Sequence, residues 1–167
     1  MRPLGAGVLK LDVVDEITPL LAETVSRYLG EYPTYSIEMQ VDTIGGDWVA
    51  SRAIFTSLKN HGRRVTAFIR KAASGGALIV MAADHRQLDP HGHFFLHRPQ
   101  GKCPAATLDE IANAKATLMA SRCRVPAARL RKWMDDTTTI SARQALSYGL
   151  VDEVQGLTRP QLPTVFL

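Results

Sequence analysis

The stretch VTAFIRKAASGGALIVMAAD, residues 65–84, decides how the chain is read. Its opening VTAFI is rich in β-branched and aromatic side chains and predicts a strand. A single hydroxyl, Ser74, then stands between two alanines and two glycines at the head of an apolar run that reaches Ala83 without a turn signal. That run predicts a buried helix beginning at or near Ser74. Strand, tight small-residue turn, and helix headed by a serine together make a physically reasoned place for a nucleophile. Unpaired N–H groups and the positive end of the helix dipole converge there, so an oxyanion beside Ser74 would meet ready donors. The glycines let backbone amides approach a substrate carbonyl, since no Cβ intervenes. A serine at a helix start also serves as a plain cap. The stretch alone leaves both roles open.

On either side of this turn, short strand-like runs alternate with helical ones, the pattern of an α/β domain. Residues 7–13 and 36–42 read as strands, 17–29 as a helix opened by Asp15 and Glu16, and 47–62 as a helix after the Gly45-Gly46 break. HFFLH, 93–97, is strand-like and ends at Arg98-Pro99. A longer helix is predicted over 106–121, a short one after Pro126, and another over 141–149 between Ser141 and Gly149. VDEV, 151–154, returns as a strand, and residues 158–167, with Pro160 and Pro163 among them, read as an extended tail to a single domain over 1–157.

Composition excludes more than it assigns. The chain's 167 residues suit one core, and 20 Lys plus Arg against 16 Asp plus Glu give +4, spread along the chain rather than clustered. No nucleic-acid partner is expected. The basic set Arg122, Arg124, Arg129, Arg131 and Lys132 reads as a solvated helix face, with an interface as the other option. Cys103 and Cys123 lack the spacing of a disulfide scaffold or zinc site. The N-terminus reads as neither signal peptide nor membrane span, and a cytoplasmic location is the default.

A serine needs a base, and histidine suits that role near neutrality. Of His61, His85, His91, His93 and His97, the last closes an apolar strand before Arg-Pro and stands at a rim. His91 and His93 form an H-x-H, but no third ligand lies nearby, and no metal or other cofactor is expected.

Taken together, IGG at 44–46, AASGGA at 72–77, HRP at 97–99 and SARQALSYGLVDEV at 141–154 resemble, in order and spacing, the Clp-type serine peptidases of the Clp/crotonase fold. The resemblance spans about residues 8–155. It implies an α/β spiral of repeated β-β-α units, with Ser74 as nucleophile, His97 as base, and the amides of Gly45 and Gly75 as oxyanion hole. Backbone hydrogen bonds from a strand after Gly46 would hold an extended peptide. The implied substrate is a peptide or unfolded protein, and the implied working form a homo-oligomer.

Several positions depart from that pattern. Counting back from Ser141, the place of the orienting aspartate falls on Thr137; a shift of one residue would bring Asp136 to the imidazole, and Asp135 lies just before it. Thr43-Ile44 stands where the family carries serine-proline. The segment between His97 and Ser141 is about two helical turns short, which speaks against stacked double rings. The segment that shapes the family's axial gate is missing by this reading, so an ATPase unfoldase partner is left open. Three other readings remain: an inactive oligomeric scaffold, a serine-lysine dyad like that of signal peptide peptidases, and acyl-CoA chemistry of the crotonase kind. The dyad would need a desolvated lysine; Lys71 is expected to point away from Ser74, and Lys115 and Lys132 to lie on polar helix faces. For acyl-CoA chemistry, no glutamate falls near the glycine turns.

Overall fold

A computed structural model describes residues 2–4 and 7–156, so the tail read over 158–167 lies outside the described residues. Alternation drives the sheet. Leu9, Leu11 and Val13 on β2 (Val8–Ile17), and Ile37, Met39 and Val41 on β3 (Ser36–Gly46), are buried while the residues between them are more exposed. That two-residue period is what a strand with one covered face requires. With β4 (Val65–Ala73) and β5 (His85–Leu96), these strands run parallel in chain order. β1 (Arg2–Leu4) pairs antiparallel with β2 at one edge; at the other, β6 (Thr138–Ser141) runs antiparallel and β7 (Glu153–Val154) parallel to β5. The connections are α1 (Pro19–Glu31), α2 (Trp48–Asn60) and α3 (Gly75–Val80), each following a strand; α4 (Ala105–Ala120), α5 (Ala127–Asp135) and α6 (Ala142–Ser147) follow β5. The α/β class and most element positions agree with the sequence reading.

Three differences have physical causes. The first helix starts at Pro19 rather than at residue 17: Thr18 caps it, accepting the Leu21 N–H at 3.2 Å, and Pro19 has no N–H to satisfy. Ile17 instead ends β2, and Asp15 sits at a bulge with φ 60°. β5 begins eight residues earlier than the strand read at 93. Its pairing with β4 jumps from Leu88 to His93, so Asp89–Gly92, including Pro90, bulge out of the ladder that their polar composition seemed to break. Finally, β6 was unforeseen, because only Ile140 of its four residues is buried.

The sheet's late strands are clamped electrostatically. Arg86, 7% exposed, donates through Nε and Nη2 to the two Asp152 carboxylate oxygens at 3.0 Å each, and through Nη1 to the Arg122 carbonyl at 2.9 Å. Arg122 in turn donates to the carbonyls of Met81 and Ala83, and Arg129 stacks over Trp133 and Tyr148, so part of the basic set serves the chain's own packing rather than lying solvated. Burial alone would raise the Asp152 carboxyl, but the Arg86 hydrogen bonds and charge outweigh it and hold it below the ordinary value. A folded-state pKa below the unfolded one stabilises fully above the unfolded pKa and is lost as pH falls through the folded one. Asp152→Asn should therefore lower unfolding free energy at pH 7 by on the order of 3 kcal/mol, leaving a buried guanidinium without its counter-charge. The gap from wild type should narrow below about pH 4 in denaturant titrations.

Candidate active site

The chain leaves β4 at Ala73, and the Ser74 N–H donates to the Phe95 carbonyl of β5 at 2.8 Å. It then turns sharply into α3, with Ser74 at φ 48° and ψ −115°. A non-glycine residue in that region costs on the order of 1–3 kcal/mol and persists only where its surroundings enforce it. Ser74 occupies the cap position, yet its side chain makes no capping hydrogen bond. Among the described residues its hydroxyl is unengaged, so the serine does not act as a side-chain cap.

Gly45 lies directly behind this serine. A Cβ there would come within 2.6 Å of the Ser74 Cβ and 3.1 Å of the Gly75 nitrogen, so only glycine lets the β3 terminus pass. Gly75 opens α3, and its N–H belongs to the first turn, where the helix supplies no acceptor. The Gly45 N–H, by contrast, donates to Thr43 Oγ1 at 3.1 Å, and the buried Thr43 hydroxyl donates to the Asp15 carbonyl. Thr43, standing where the family carries serine, thus stitches the β2 bulge to the glycine turn.

His97 follows the last residue of β5. Its Nδ1 lies 2.8 Å from the Arg98 carbonyl. A carbonyl only accepts, so Nδ1 carries a proton, and in the neutral ring Nε2 keeps a free lone pair. A cleft of about 630 Å³ is lined by Ser74, Gly75, Gly46 and His97, with Leu108, Ile111 and Lys115 contributed by α4. The structure therefore gathers five of the six sequence-derived site residues: four line the cleft and Gly45 backs the serine.

Asp136 is the sixth, and it is engaged elsewhere. Its carboxylate takes Lys132 Nζ at 2.8 and 3.0 Å, and among the described residues it has no hydrogen bond to His97. Asp135 pairs with Arg131 at 3.2 Å. Both follow from the i,i+4 spacing on α5, which offers each aspartate a cation one turn back. Thr137 is exposed at φ 54°. Arg98, next to His97, joins Arg131 on Asp109, whose carboxyl is held low chiefly by the Arg131 hydrogen bond.

Two expectations need correction. No strand follows Gly46: Asp47 accepts the Ala50 N–H at 2.7 Å and caps α2 at once, so the backbone available to a peptide is the end of β3 itself. Lys115 does not lie on a polar face. It is 3% exposed, because Ala112, Lys115, Ala116 and Met119 share one inward stripe of α4. That spacing was visible in the sequence and was overridden by the charge of the side chain.

A serine on a strained strand-to-helix turn, beside glycine amides and lining the same cleft as a histidine, has the layout of a hydrolase. The Clp protease family profile matches residues 10–157, and the chain belongs to that family. It is 30% identical over 155 residues to ATP-dependent Clp protease proteolytic subunit 2 of Chlamydia trachomatis, covering 83% of this chain and 76% of that protein. Subunit 1 from Chlamydia felis is similar to the same degree. ClpP1 from Listeria monocytogenes superposes with a TM-score of 0.80 at 24% identity, covering 87% of this chain and 89% of that one, which shows the Clp/crotonase-like fold.

Gly45→Ala tests the packing behind Ser74. Its added Cβ should displace Ser74, lower stability by about 1–3 kcal/mol in thermal or chemical unfolding, and abolish reaction of the serine with a fluorophosphonate.

Proposed function

We propose that the protein is a serine peptidase, hydrolysing peptide bonds through an acyl-enzyme on Ser74. The observation that carries this reading is the unengaged Ser74 hydroxyl, held in a strained turn on the same cleft as a His97 with free Nε2. Ser74 Oγ attacks the carbonyl while His97 Nε2 takes its proton and passes it to the leaving amine. Water, activated by the same nitrogen, then releases the acyl group. The Gly75 amide receives the developing oxyanion; Gly45 serves as second donor by exchanging its 3.1 Å bond to Thr43. In place of a carboxylate, the Arg98 carbonyl holds the imidazole in the required tautomer. It offers no full negative charge to the imidazolium, so turnover should be slow relative to a full triad.

The relatives named proteolytic subunits of ATP-dependent proteases support a peptide or unfolded-protein substrate and a homo-oligomeric, cytoplasmic working form, with an ATPase partner as a further option. Among the described residues no helix is long and apolar enough to cross a membrane. Among the described residues no carboxylate bonds His97, which favours one second reading, a catalytically silent oligomeric scaffold.

A fluorophosphonate probe with peptide mass mapping separates the two. Labelling at Ser74 that vanishes in Ser74→Ala and falls at least a hundredfold in His97→Ala supports the peptidase; absence of labelling supports the scaffold. Asp136→Asn should change the labelling rate less than threefold. A drop on the order of 10⁴, as when a triad aspartate is neutralised, would place Asp136 on His97 in the working enzyme.

A further inference from the structure

Lys115 is a charged side chain that the proposed chemistry leaves unused. It is 3% exposed, yet it lines the same cleft as Ser74, Gly75 and His97. Among the described residues it makes no ion pair and no hydrogen bond. The two carboxylates on the cleft wall, Glu16 and Asp47, belong to exposed residues, and Asp47 is already committed to capping α2. Leu108 and Ile111, from the same side of α4, flank the lysine with hydrocarbon. Burial pushes the amine down to about 7, with no counter-charge to offset it.

A lysine whose stem is buried and whose amine opens on the cleft without a partner is an incomplete pair: its protonated form is poorly solvated, and a matching anion would recover much of that cost. Binding sites built with an unmet polar group discriminate strongly against ligands that lack the complement. Resting on the peptidase reading, we infer that Lys115 is the specificity-determining residue of the cleft, receiving the acidic side chain of the substrate residue that supplies the scissile carbonyl. Glutamate fits this arrangement, laying its methylenes against Leu108 and Ile111 and its carboxylate on the amine. An uncharged isostere such as glutamine leaves the ammonium unneutralised, and leucine leaves it unpaired.

Peptides with blocked ends that differ only in Glu, Gln or Leu at that position provide the test, using the full chain. Wild type should cleave the Glu peptide with kcat/KM at least tenfold above the Gln peptide. Lys115→Met, which keeps the length and removes the charge, should cut the Glu-to-Leu ratio at least tenfold while Ser74 still reacts with an uncharged fluorophosphonate. Calorimetric binding of the same peptides to Ser74→Ala reads the preference without turnover and should give the same order. Glu and Gln handled within twofold of each other by wild type, in both cleavage and binding, would overturn the inference. So would a uniform loss across all peptides in Lys115→Met with the ratio unchanged, which would mark the amine as part of the bond-breaking chemistry. The same peptides with a free C-terminus form a further arm, and a preference seen only there would overturn the inference and assign the amine to an α-carboxylate. Failure of wild-type Ser74 to label would sink the peptidase reading alone; normal labelling without acid preference would sink only the role of Lys115.

Discussion

The main-chain bond from the Ser74 N–H to the Phe95 carbonyl, 2.8 Å, ties the bend after β4 to the strand that leads into His97. Phe95 lies two residues before the imidazole, so one hydrogen bond couples the placement of Ser74 and His97, the proposed nucleophile and base. Keeping Ser74 at φ 48° requires the neighbouring backbone to come unusually close. Gly45 supplies that closeness, and the buried Thr43 hydroxyl fixes Gly45 in turn. The local strain is sustained by the seven-stranded sheet around it, since relaxing the turn would also break the β4–β5 ladder.

Much of this was legible before any coordinates. Alternating burial on β2 through β4 follows the apolar pattern, and the small-residue turn at 72–76 announced a place where backbone segments meet closely. What escaped was whatever tertiary context supplies. Thr138–Ser141 has too few buried side chains to declare itself a strand and becomes one because β5 offers an unpaired edge, placing Ile140 opposite Phe94. Asp136 lies one residue from the family's position, and its spacing on the helix gives it Lys132 as a partner, which the sequence reading did not weigh. Lys115 escaped for the opposite reason: its charge argued for solvent while its phase on α4 argued for the interior, and phase prevailed.

The charged groups around the cleft divide into two kinds. Arg98, Asp109, Arg131 and Asp135 neutralise one another and brace the segment after His97 against α4 and α5. Lys115, a turn and a half further along α4 from Asp109, has no such counterpart and faces the space a substrate would enter. Salt should thus loosen the first set, whose side chains are partly exposed.

The order of the strands also bears on how the molecule comes into being. From β1 to β5 each new strand settles beside its predecessor, so a chain emerging from the ribosome can extend its sheet unit by unit with short-range closures. The grip of Arg86 on Asp152 breaks that rhythm, joining partners 66 positions apart. A nascent chain can thus shape the bend at Ser74 early but must wait for its distal portion before the guanidinium on β5 is neutralised, which makes that closure a natural final checkpoint of maturation.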